Sequence, residues 1–128
     1  RILVVEDEEP IVALLRRVLE PAGSEILTAR DGEQGLQVLD EAVADRKVPD
    51  LIIADLKMPR LDGFGFFQRV RDQYPELAGR FLFITGDAVR PETQSFLQEG
   101  DLPYLCKPFS VREIETAVSK ALAARQSQ

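Results

Sequence analysis

The 128-residue chain contains no histidine and only one cysteine, Cys106. Without an imidazole it has no histidine ligand for a metal and no histidine general base, and a lone thiol disfavours zinc. One cysteine allows no internal disulfide, which fits a reducing cytoplasm, the location expected here. No apolar run approaches the length of a membrane span, and the first residues, RILVVEDEEP, lack the long apolar core of a signal peptide. Basic residues are in the minority, with 16 Lys and Arg against 22 Asp and Glu and a net charge of −6. Such a surface repels nucleic acid and acidic headgroups, so neither direct nucleic-acid binding nor membrane association by this chain is expected. The chain begins at Arg1 and not at Met, as expected of a domain cut from a longer protein.

With 45% hydrophobic residues, a chain of this length can bury one core. A single domain is expected over residues 1–124, with 125–128 as a frayed tail. Short apolar runs bounded by turn residues predict strands at Ile2–Val5, Glu25–Thr28, Leu51–Ala54, Phe81–Ile84 and Pro103–Cys106. Helical spacing fills the intervals. Ile11, Val12, Leu14, Leu15, Val18 and Leu19 form an apolar stripe with Pro10 in its first turn. Asp31 with Gln34 reads as a capping box for a second helix through Leu36, Val38, Leu39 and Val43. Phe64, Phe67 and Val70 mark a third helix, and a fourth starts at Pro91 and stops near Gly100. Ser110 and Glu113 cap a fifth, which carries Ile114, Ala117, Val118, Ala121 and Leu122. Strict alternation of strand and helix predicts an α/β fold, a parallel sheet with helices on both faces.

In such a sheet the ligand crevice lies beyond the carboxyl ends of the strands. Glu6 and Asp7 follow the first strand, Asp55 the third, Thr85 and Gly86 the fourth, and Lys107 and Pro108 the fifth. If the first and third strands are neighbours, three carboxylates converge. Two like charges about 4 Å apart repel by roughly 4 kcal/mol at an effective dielectric of about 20, so a proton or a cation must offset them. A hard divalent ion suits carboxylate oxygens, and Mg2+ is the natural choice. Lys107 and Thr85 offer donors for a phosphoryl group, and Gly86 keeps the wall beside Thr85 low.

Glu6-Asp7, Asp55 followed by Met58-Pro59 and Asp62-Gly63, Thr85-Gly86, and Tyr104 shortly before Lys107-Pro108-Phe109 resemble the receiver domain of two-component response regulators. The resemblance spans essentially the whole chain. It implies a flavodoxin-like, doubly wound (βα)5 fold with a five-stranded parallel sheet in the order 2-1-3-4-5. It also implies that Asp55 takes a phosphoryl group from a phosphohistidine of a sensor histidine kinase or histidine phosphotransfer protein. Asp7, Asp55 and the main-chain carbonyl of Lys57 would hold Mg2+, with Glu6 acting through water. Lys107 would clamp one phosphoryl oxygen and Thr85 another, while backbone N–H groups of Lys57 and Gly86 complete the cradle. Lys107-Pro108 is expected to be cis. Thr85 and Tyr104 would form the switch, and the face made by the fourth helix, fifth strand and fifth helix would change or support a homodimer. The resemblance implies a phosphoacceptor signalling domain that assists its own phosphorylation and dephosphorylation, not an enzyme with turnover.

Cys106 reads as a buried filler residue. Pro103 is tolerable because the fifth strand should lie at the sheet edge. Lys57 and Asp87 are expected to pair over the site and set the lifetime of the phosphoryl group. The stretch FLFITGDAVRPETQSFL resembles receivers attached to hybrid sensor histidine kinases. The competing readings are weaker. An aspartate-nucleophile phosphatase would place a second acid where Lys57 stands, and EDEEP after the first strand would repel a dinucleotide phosphate. A phosphorylation-independent interaction module of the same fold is the remaining alternative, although no acidic residue of the pocket is missing.

Overall fold

A computed structural model describes residues 1–86, 90–100 and 102–126. Strands β1 (Ile2–Val5), β2 (Ile26–Ala29), β3 (Leu51–Asp55), β4 (Phe81–Thr85) and β5 (Tyr104–Cys106) alternate with helices α1 (Glu9–Leu19), α2 (Gly32–Ala44), α3 (Gly63–Gln73), α4 (Pro91–Glu99) and α5 (Val111–Gln126). All pairings are parallel and the order is β2-β1-β3-β4-β5, the expected doubly wound sheet. Parallel strands joined by helical crossovers are covered on both faces, which is why β1, β3 and β4 read as unbroken apolar runs.

Strand periodicity divides the interior in two. Leu3, Val5, Ile52, Ala54, Phe81 and Phe83 meet Leu39 of α2, Phe66, Phe67 and Val70 of α3, and Leu97 of α4. Ile2, Val4, Leu51, Ile53, Leu82, Ile84 and Leu105 face the other way, against Leu15 and Leu19 of α1 and Ile114 and Val118 of α5. The first core is aromatic. Phe67 and Phe83 lie 5.6 Å apart between ring centroids, and Phe96 contacts both at 5.6 and 5.4 Å, anchoring α4.

Several local features depart from expectation. Strand β2 is displaced by one residue from Glu25–Thr28, because the ladder sets Ile2 opposite Ile26 while the Glu25 carboxylate pairs with Arg1 at the surface. Helix α5 runs to Gln126, beyond the expected boundary at 124, and a 3-10 helix, Pro75–Arg80, intervenes before β4. Asp31 accepts from the Gln34 N–H as a cap should, but the Gln34 side chain takes the N–H of Arg30, one residue before the cap. Gly100 ends α4 with φ at −90°, so it is not a left-handed cap; a Cβ there would meet Leu102 Cγ at 2.8 Å. Ser110 and Glu113 do form the reciprocal cap of α5. Pro103 sits just before the edge strand, where its carbonyl accepts from Phe83 and its missing N–H breaks no ladder bond.

Gly63 is required by close approach. Its N–H donates to the Leu56 carbonyl at 3.1 Å, and a Cβ would stand 2.7 Å from Leu56 Cα and closer still to the Asp55 carbonyl oxygen. Backbone cannot yield as a flexible side chain can. Gly63→Ala is therefore expected to destabilise by about 1–3 kcal/mol, measurable as a lower urea midpoint at unchanged m-value.

Candidate functional site

The residues that continue β1, β3 and β5 with the parity of the α1/α5 face are Glu6, Asp55 and Lys107. Chain order thus sends two acids and one base to the same side of the same sheet edge. Glu6 and Asp55 are buried, at 1% and 4% exposure, whereas Asp7 opens to solvent. Carboxylate oxygens of Glu6, Asp7 and Asp55 all lie within 4.8 Å of one another.

Lys107 reaches into this cluster. Its ammonium donates to Asp55 Oδ2 at 2.8 Å, to Glu8 Oε2 at 2.9 Å and to Glu6 Oε1 at 3.1 Å. Burial opposes the charged form of Lys107, but Asp55, Glu8 and Glu6 outweigh it, and its pKa lies above the ordinary lysine value. Glu6 moves in the direction usual for a buried acid. Burial first, and then the adjacent Asp55 carboxylate, push it up to about 9 against the opposing pull of Lys107. Glu6 Oε2 is buried and, among the described residues, has no hydrogen-bond partner. Uncompensated carboxylate oxygen of this kind is costly unless a proton or a cation meets it.

Asp55 is held from its other side as well, since Oδ1 accepts from the Lys57 N–H at 3.1 Å. The Thr85 side chain is buried at the end of β4, and its carbonyl accepts from the Lys107 N–H at 2.8 Å. Lys107-Pro108 is cis. A Cβ on Gly86 would come no nearer than 3.9 Å to Lys107 Cδ, so the protein itself leaves room for a methyl group there. Tyr104 lies opposite Phe83 in the ladder and is 47% exposed, with its side chain outward.

Cys106 corrects the sequence reading, because it is exposed and not a buried filler. In β5 only Leu105 is covered; Tyr104 and Cys106 have the opposite parity at an edge beyond which no further strand lies among the described residues. Asp87, the expected partner of Lys57, lies outside the described residues. Glu8 was missed as a site residue. Nothing local distinguished it from its neighbours Asp7 and Glu9, since its partner is far away in the chain.

Residues 2–119 match the family model of the response regulator receiver domain, and the chain belongs to that family. It is thus a signalling domain of two-component systems. The alkaline phosphatase synthesis transcriptional regulatory protein PhoP of Bacillus subtilis is 38% identical over 95% of this chain and 48% of its own length. The chain therefore spans about half of that relative. A probable chemotaxis protein CheY of Rhizobium etli is 31% identical, with 97% of this chain and 93% of the relative aligned. Among solved structures, the signal receiver domain of an HD domain-containing protein from Pseudomonas fluorescens superposes with a TM-score of 0.80 at 32% identity, covering 98% of this chain and 88% of that one. No helix among the described residues is long and apolar enough to cross a membrane.

Proposed function

We propose that Asp55 accepts a phosphoryl group from the phosphohistidine of a sensor histidine kinase or histidine phosphotransfer protein, in a Mg2+-dependent reaction in the cytoplasm. The observation that carries this reading is the two-sided hold on Asp55, with the Lys57 N–H on Oδ1 and the Lys107 ammonium on Oδ2. A buried carboxylate fixed in this way is a positioned nucleophile. In the transfer, an Asp55 oxygen bonds to phosphorus, the P–N bond breaks, and its electron pair returns to the imidazole. Lys107 then holds one phosphoryl oxygen and the Thr85 hydroxyl another, and the N–H groups of Lys57 and Gly86 supply further donors.

The donor set fits a hard cation. It comprises three carboxylates within 4.8 Å, one of which presents a buried, unpartnered oxygen, and no nitrogen or sulfur ligand. Asp7, Asp55 and the Lys57 carbonyl would hold Mg2+ directly and Glu6 through water. When bound, the ion offsets the charge of the carboxylates and of the phosphoryl oxygens.

Phosphorylation adds roughly two negative charges beside Thr85. Movement of Thr85 toward them opens space under β5 for Tyr104 to turn inward from its exposed position, and the α4-β5-α5 face changes. A groove of about 870 Å³ between β5 and α5, lined by Pro103, Tyr104, Leu105, Arg112, Thr116 and Lys120, offers that face a place to receive a partner or a second copy of the chain. The domain assists its own phosphorylation and dephosphorylation without turning over a separate substrate.

Intact-protein mass spectrometry after incubation with acetyl phosphate tests the proposal. A single phosphoryl adduct is expected with Mg2+ and none with excess EDTA, with peptide mapping assigning it to Asp55. A folded protein that takes up no phosphoryl group would instead act as a phosphorylation-independent interaction module.

A further inference from the structure

Glu8 has no place in the phosphoacceptor scheme, yet it contacts the ammonium that the scheme requires. We propose that Glu8 is a positioning residue that holds the Lys107 ammonium across the mouth of the crevice and competes with the incoming phosphoryl group for it. The inference rests on the reading of Asp55 as the phosphoacceptor.

Glu8 stands immediately before α1 in extended conformation, φ −85° and ψ 109°, and its side chain makes no capping hydrogen bond. Its carboxylate instead reaches Lys107, 99 residues away in the chain. An ammonium has three N–H donors, and here Asp55, Glu6 and Glu8 account for all of them. A phosphoryl oxygen can therefore gain Lys107 only if one carboxylate yields. The three are not equivalent. The side chains of Glu6 and Asp55 are 0% and 6% exposed, whereas that of Glu8 is 57% exposed. A buried carboxyl oxygen that loses its donor is left desolvated, while Glu8 returns to water at little cost. Glu8 is thus the partner that gives way, and the donor it releases passes to the phosphoryl group. Until then it neutralises the cation that would attract an anionic donor.

Loss of a half-exposed ion pair shifts an equilibrium by up to roughly fivefold. Initial rates of phosphoryl uptake from acetyl phosphate, far below saturation and in the presence of Mg2+, should rise about 2- to 5-fold in Glu8→Gln. The same gain is expected in Glu8→Asp, which keeps the charge but shortens the reach. Metal-free NMR of the 15N-labelled lysine ammonium groups reports the contact itself, and in both variants the Lys107 signal should move while that of Lys120 stays. If Glu8→Gln is faster but Glu8→Asp remains at the wild-type rate with its Lys107 signal moved, plain repulsion of the donor accounts for the effect and the competition is refuted. Unchanged or slower uptake in both variants also overturns it. Absence of uptake by the wild type would remove the phosphoacceptor reading itself, and the competition with it, a result distinct from any difference among the variants.

Discussion

Asp55→Asn is expected to abolish phosphoryl uptake. Asparagine preserves the shape of the side chain and an acceptor for the Lys57 N–H, so the end of β3 and its packing should survive. The substitution removes the anionic oxygen that is proposed to form the bond to phosphorus, and an amide in its place is a poor nucleophile. It also relieves the repulsion between Asp55 and the buried Glu6 carboxyl, although Lys107 loses an anionic acceptor at 2.8 Å. The expected result is a rate at least roughly 1,000-fold below wild type with acetyl phosphate and Mg2+, in a protein that still unfolds cooperatively. Intact-mass time courses and thermal melts measure both. Uptake at the wild-type rate would move the acceptor elsewhere, with Asp7 the nearest candidate.

The second large effect is on stability. Phe83 is 0% exposed and packs against Phe67, Phe81 and Phe96 at centroid distances of 5.6, 5.3 and 5.4 Å. Phe83→Ala removes this shared partner of α3, β4 and α4 and leaves a cavity that three aromatic rings cannot readily fill. Such a truncation costs about 3–5 kcal/mol, a large part of the roughly 5–15 kcal/mol that holds a domain of this kind together. Urea denaturation should show a much lower midpoint at similar slope. Val111→Ala is the control: Val111 is 48% exposed, and its truncation should stay within about 0.5 kcal/mol. A loss of less than about 1 kcal/mol for Phe83→Ala would show that α4 does not depend on the aromatic cluster.

The two predictions meet at α4. Its buried residues are Thr93 and Leu97, with Phe96 joined to Phe64, Phe67 and Phe83. Phe83 and Thr85 share strand β4 and, two residues apart, point to the same face of the sheet. The strand that carries Thr85 to the acidic crevice therefore also seats the helix whose surface is proposed to change.

Much of the molecule was determined by local sequence. Unbroken apolar runs flanked by helical stripes specify covered parallel strands, and Ser110 with Glu113 specifies the start of α5. The acids and the lysine at strand ends were legible because a doubly wound sheet sends all carboxyl ends to one edge. Other features depended on which segments meet. Phe66, absent from the expected third-helix stripe, is fully buried because its ring lies between α2, at Gly35, and Phe81 of β4. Cys106 faces solvent at the edge strand of the sheet, beyond which no further strand lies among the described residues, a fact that no property of Tyr104-Leu105-Cys106 alone contains. Glu8 gained a partner only when the sheet brought the end of β5 to the same edge as the end of β1, so that Lys107 could reach across the strands between them. Periodicity and capping act over a few residues and are written in the chain, whereas the choice of the covered face and of the carboxylate that meets the ammonium arises only from packing between distant segments.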